Sequence, residues 1–161
     1  MKKLIAISLI ATVTFFAFSC GEANTKSGTP VAKEEKEEKS ENGNPSYDPH
    51  RGEGKFTKVD LGATVDAAMA ESGNKVYGVK CQGCHKLTEE KLVGPGWKGV
   101  TSRHAPEWIM NFITNTDEML NKDPKAQAQL EICLVRMPNQ NLADADARAL
   151  LEFMRKNDGV K

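Results

Sequence analysis

The chain has 161 residues, with 22 basic and 22 acidic side chains, and its aromatic content is 6%. That balance leaves no basic surplus of the kind that binds nucleic acid. With both ends set aside, about 100 residues remain, enough for one small domain with a thin core.

The chain opens on a targeting pattern. Met1-Lys2-Lys3 is basic, and Leu4 to Phe18 is mostly apolar. That run suits a signal peptide and falls short of the roughly 20 residues a spanning helix needs. Ala17-Phe18-Ser19-Cys20-Gly21 follows and resembles a bacterial lipobox, with Phe18 as a departure from its pattern. The expectation is a signal peptide over 1–19, cleavage before Cys20 and a lipid on its thiol. The protein is then exported and held on the periplasmic side of a bacterial membrane. An uncleaved anchor and a plain secretory peptide are the blander readings.

Residues 20–54 read as a disordered, charged tether. Lys33-Glu34-Glu35-Lys36-Glu37-Glu38-Lys39 has no apolar face, and Ser40 to Ser46 is linker chemistry. Such a stretch buries too little apolar area to offset its ordering entropy. Tyr47-Asp48-Pro49-His50 is the first piece placed to touch the domain, with His50 in solvent.

The folded domain is expected over 55–161. Thr64 or Asp66 can cap a helix running to Lys80, with Val65, Ala68, Met69, Val76 and Tyr77 inward. Gly73 weakens that helix and so points to a close contact. Lys86 to Thr101 is glycine-rich and irregular. Pro106 suits a first helical position, and Trp108, Ile109, Phe112 and Ile113 recur at helical spacing up to Asn115. Asp123-Pro124 opens a third helix to Leu134, with Ala126, Leu130 and Cys133 or Leu134 on one side. Asp144 caps the last, to Lys156, with Ala147, Leu150, Leu151 and Met154 inward. No alternating strand pattern occurs, so an all-α domain of about four helices is predicted.

The chemistry lies between the first helix and the irregular loop, in Cys81-Gln82-Gly83-Cys84-His85. Two cysteines flanking two residues, with histidine next, form the attachment sequence of a c-type haem. Each thiol can add to a vinyl group, and the imidazole of His85 can ligate the iron. A sixth ligand must come from elsewhere. Met137 is the choice, because it precedes Pro138 in a loop 52 residues beyond His85, far enough to reach the other haem face. Its thioether would favour reduced iron and raise the potential. His104 is the rival, otherwise an exposed residue, while Met110, Met119 and Met154 read as core.

These residues together resemble the class I c-type cytochromes, as monohaem domains, over Asp66 to Lys156. In that family a glycine and an aromatic precede the first haem cysteine by eight and four residues, here Gly73 and Tyr77. The resemblance implies that they pack on the last helix near Leu150 and Phe153. It also implies that Gly94-Pro95 orients His85 through a backbone carbonyl, and that Met137-Pro138 supplies the axial sulfur. Covalent haem attachment belongs to exported proteins in this family, which agrees with the targeting segment. Pro106 to Met110 and Arg136 to Asn141 further resemble the lipoprotein cytochromes that accompany nitrous oxide reductase.

The implied function is a one-electron carrier and not an enzyme: a monomer with one haem c, redox partner proteins and no small-molecule substrate. A respiratory donor and a periplasmic or membrane reductase or oxidase would be its partners. Lys75, Lys80, Lys86, Lys91 and Lys98 against Glu89 and Glu90 give a local +3, and nine acidic against six basic residues from Glu107 to Asp158 give −3. Such a dipole could steer an acidic partner, or the lysines could form an ordinary solvated face. A haem sensor or small catalyst with an open sixth site is the alternative. Zinc on Cys81, Cys84, Cys133 and His85 or His104 is a third reading, and a thioredoxin-like thiol pair a fourth. Cys133 lacks a mate; its helical position predicts a buried, inert thiol, with iron ligation or intermolecular pairing as the other readings.

Overall fold

A computed structural model describes residues 47–161. The signal peptide expected at 1–19, Cys20 with its lipid and the tether as far as residue 46 lie outside the described residues. Among the described residues there are six helices: α1 (Ala67–Lys80), α2 (Val100–Arg103), α3 (Pro106–Thr114), α4 (Thr116–Lys122), α5 (Pro124–Cys133) and α6 (Asp144–Asn157). No strand occurs among them, only an isolated bridge between His85 and Lys91. None of these helices is long and apolar enough to cross a membrane. The two beyond the predicted four are α2, a single turn, and α4, whose seven residues are too few to show a period.

Crossing of α1 and α6 organises the domain. The Asp66 carboxylate accepts from the Met69 amide at 2.8 Å and starts α1. Ala70 and Gly73 are the buried positions of α1, while Ala68, expected inward, faces solvent. The correction follows from the crossing: the helices meet so closely that only the smallest residues fit at the contact. A Cβ on Gly73 would lie 2.1 Å from the Ala149 carbonyl oxygen and 2.8 Å from Phe153 Cβ. One turn on, the Tyr77 ring packs on Phe153, with centroids 5.5 Å apart.

Helix α6 turns Ala147, Leu150, Leu151 and Met154 inward, as its spacing predicts. Its N-cap is Ala143, with no side-chain bond, and not Asp144. Asp144 sits one residue inside, where its charge still favours the helix start, and pairs with Lys55 at 2.6 Å. The same helix buries Glu152, held by Arg155 at 2.8 Å and also by Arg148. Arg155 donates to the Gly62 carbonyl at 2.6 Å, which ties the segment before α1 to α6.

The packed chain begins before residue 55. Tyr47 donates through its hydroxyl to Asp123, and the Asn111 amide donates to the carbonyls of Arg51 and Phe56. The Glu53 amide points at Met119 Sδ, 3.0 Å away. Residues 47–54 therefore pack against α3 and α4 instead of continuing the tether, although His50 is exposed as expected. Asp123 is fully buried and also accepts from Trp108 Nε1 at 3.0 Å and from the Ala126 amide at 2.8 Å. Each group orphaned by losing that carboxylate would cost about 1–3 kcal/mol. Met110, Met119 and Met154 are buried core residues.

Candidate functional site

The end of α1 sets the first half of the site. The amides of Cys81 and Gln82 both donate to the Tyr77 carbonyl, and those of Cys84 and His85 to the Cys81 carbonyl. This tight turn buries Cys81, leaves Cys84 exposed and directs His85 inward. Burial pushes the Cys81 thiol up to about 11. The Tyr77 hydroxyl donates to the His85 carbonyl at 2.7 Å, locking the histidine backbone to α1.

The glycine-rich loop completes the hold. His85 Nδ1 lies 2.9 Å from the Pro95 carbonyl oxygen, so Nδ1 carries the proton and Nε2 keeps its lone pair. Burial lowers the His85 pKa, against a smaller raising effect of the Pro95 bond, and so favours the neutral ring. A Cβ on Gly94 would stand 2.3 Å from His85 Cε1, so glycine alone lets the backbone lie against the ring. Trp97 backs the imidazole, with centroids 5.6 Å apart, and packs on Tyr77 at 5.0 Å.

Met137 enters from the opposite loop. Helix α5 stops at Leu134, which adopts a left-handed conformation with φ 60°. The chain then runs without regular structure to Ala143. Arg136 donates to the Asp117 carbonyl at 3.2 Å and to Asn121 Oδ1 at 3.0 Å, and Lys80 reaches the Gln140 carbonyl at 3.3 Å. Both ends of the Met137 loop are therefore tied, one to α4 and one to α1.

Between the two loops lie adjoining recesses of about 550 and 560 Å³. His85, Pro95, Phe112, Gln129 and Met137 line both. Cys84 and Cys133 line the first, Arg103 and His104 the second. The walls are otherwise mostly apolar, from Leu120, Ala126 and Leu130 on one side to Ile109, Ile113 and Met154 on the other. Cys133 is thus half-buried on a cavity wall and not sealed in the core, because the apolar side of α5 faces the recess. His104 is not the exposed residue expected. It stacks on Trp108, with centroids 4.1 Å apart and planes at 14°, and its Nε2 lies 3.0 Å from Gln129 Nε2. Among the described residues no three of histidine, cysteine, aspartate and glutamate converge as a metal site, so the zinc reading gains no support.

A largely apolar volume with Cys84 and an oriented imidazole on its wall, and Cys81 buried on the same tight turn, fits a covalently held haem. A profile of the cytochrome c family matches residues 70–158. This chain belongs to the class I cytochrome c family.

Solved structures agree. Cytochrome c from Rhodothermus marinus is 32% identical, with a TM-score of 0.63 over 65% of this chain and 90% of that one. An engineered form from the same organism, Rma TDE, is 31% identical, with a TM-score of 0.63 and the same coverage. The engineered form bound to a carbene intermediate, also 31% identical, has a TM-score of 0.60. No curated protein matches. The cytochrome therefore has the all-α class I fold, carries one covalently attached haem c and works as an electron carrier. Arg136, Gln129, Phe112 and Trp97 were not singled out as site residues. Only Trp97, a lone aromatic among three glycines, left a signal in the sequence.

Proposed function

We propose that this cytochrome is an exported, membrane-tethered one-electron carrier whose iron is closed on one face by His85 and on the other by Met137. The observation that carries the reading is that both side chains line the same two recesses, from separately anchored loops. Cys81 and Cys84 would hold the haem through thioethers. When bound, the haem supplies the one-electron exchange.

Everything else falls to the chain. The Pro95 carbonyl fixes the ring orientation of His85, and the ties on Arg136 and Gln140 hold the Met137 loop in place. Phe112 and Leu130 help keep water from the cavity. A lipid on Cys20 and the charged stretch after it would keep the domain at the periplasmic face of a membrane, on the strength of the sequence pattern alone. Carbon monoxide added to the reduced protein is expected to leave its spectrum unchanged on mixing. A prompt change would favour the alternative, a sensor or catalyst with an open sixth site.

The partners proposed are a respiratory donor and a periplasmic or membrane reductase or oxidase. Nitrous oxide reductase is included on the two matching sequence stretches; in the first of these, Trp108, Ile109 and Met110 are buried and serve the core. Cys84 is exposed, as are Val93, Val135 and Pro138 around the first recess, which leaves an apolar face for docking. Of the lysines expected to steer a partner, Lys91 reaches the Ile132 carbonyl at 2.9 Å and Lys80 the Gln140 carbonyl at 3.3 Å, beside this face, while Lys98 reaches Asn157 on α6 and Lys86 is paired with Glu90 at 2.7 Å. Electron-transfer rates with an acidic partner are expected to fall as salt rises, since screening weakens such steering. A flat salt response would remove the steering claim.

A further inference from the structure

Residues 47–56 form neither helix nor strand, yet they lie along α3 and α4. Asn111 and Met119 meet them, while the next residue on each helix, Phe112 and Leu120, lines the first recess. Two short helices thus stand between this segment and the haem cavity. Between Tyr47 and Phe56 the only apolar side chain is Pro49, so the segment is held at points and is not sealed in as core. Tyr47 donates to the buried Asp123 at 2.5 Å, Lys125 to the Pro49 carbonyl at 3.0 Å, and the Phe56 amide to Asn111 Oδ1 at 2.9 Å. Gly52 sits at φ 64°, where a Cβ would stand 2.6 Å from Met119 Sδ.

What this segment holds is α4. A helix of seven residues is too short to stand alone. No side chain caps its start; Asn115, at that position, reaches instead to the Glu53 carbonyl at 3.4 Å. One turn on, Met119 Sδ accepts from the Glu53 amide. Asp123, which takes the Tyr47 bond, ends the same helix. Asp117 and Asn121, one turn apart on α4, receive Arg136, the residue directly before Met137. Helix α4 therefore has residues 47–56 on one side and the anchor of the Met137 loop on another. A segment with so few apolar contacts opens at less cost than the domain unfolds. When it opens, α4 loses what positions it, and Arg136 loses its firm acceptors.

The geometry points to residues 47–56 as a releasable strap on α4 that sets how long Met137 stays on the iron. Closed, the strap holds the acceptors of Arg136 in place, and Met137 with them. Open, it lets the loop carry the sulfur away. Tyr47 is the positioning residue at its head. The chain ahead of the domain thereby has a route to the iron, and release of the strap turns a closed carrier into a haem with an accessible sixth site. This inference rests on the reading that Met137 closes the iron.

The test is the rate at which imidazole displaces the sulfur in the oxidised holo-protein, followed by loss of the methionine–iron band. At saturating imidazole that rate is the rate at which Met137 leaves. Tyr47→Phe keeps the ring and removes one donor to a charged, buried acceptor, so the rate is expected to rise about tenfold. Deuterium exchange at the Glu53 and Phe56 amides should rise by a similar factor. Gly52→Ala lifts the strap at its middle; it is expected to do the same, and it decides the matter should Tyr47→Phe yield no holo-protein. In an Arg136→Ala background Tyr47→Phe should add nothing, because the link is already cut. An unchanged release rate in Tyr47→Phe would overturn the strap and leave Met137 in place, since a purely structural role lowers denaturant stability without touching that rate. A full tenfold gain in the Arg136→Ala background would overturn it too. An oxidised wild type without the band would instead remove the Met137 reading, and the strap's role with it.

Discussion

Gly73→Ala is expected to destabilise the oxidised holo-protein by about 1–3 kcal/mol in denaturant unfolding, the range of a forced overpacking. Two effects oppose each other. Alanine is the better helix former by about 1 kcal/mol, which on an open helix face would stabilise. Here the added methyl would stand 2.1 Å from the Ala149 carbonyl oxygen, which is backbone and cannot rotate aside. The helices must separate, and Tyr77 on Phe153 loosens with them. Tyr77 also holds the His85 carbonyl, so the damage reaches the haem site. An equal or higher stability would mean that the α1–α6 crossing is looser than described.

Met137→Ala is expected to lower the midpoint potential by on the order of 0.1–0.3 V, within the roughly 0.8 V that axial ligands span. Loss of a soft thioether removes its preference for reduced iron. The variant should also respond to carbon monoxide at once, because nothing replaces the sulfur. The two ties on the loop, at Arg136 and at Gln140, leave the backbone in place, so the effect should be confined to the ligand. An unchanged potential would put the sixth ligand elsewhere, with Cys133 and His104 the nearest candidates on the recess walls.

What could be read from the sequence was local or repeated at short range. Asp66 before an apolar period, Pro106 at a helix start and Gly73 inside α1 each act through neighbours a few residues away or through a single close contact. The long-range groups were hidden. Tyr47 was expected to touch the domain, but its partner, Asp123, lies 76 residues away and nothing around it marks the pair, so the domain was still expected to start at residue 55. The burial of Glu152 and Arg155 left no signal, because it depends on a partner carbonyl at Gly62, 93 residues away from Arg155. The side of α5 with Cys133 was legible as apolar. That it faces a cofactor cavity instead of a protein core was not, since both environments select the same residues.

The carrier account stands on closure of the iron by His85 and Met137, and the near-infrared absorption of the oxidised protein tests this most directly. The wild type should show the methionine–iron charge-transfer band, and Met137→Ala should lack it. A wild type without the band, or a variant that keeps it, would contradict the account.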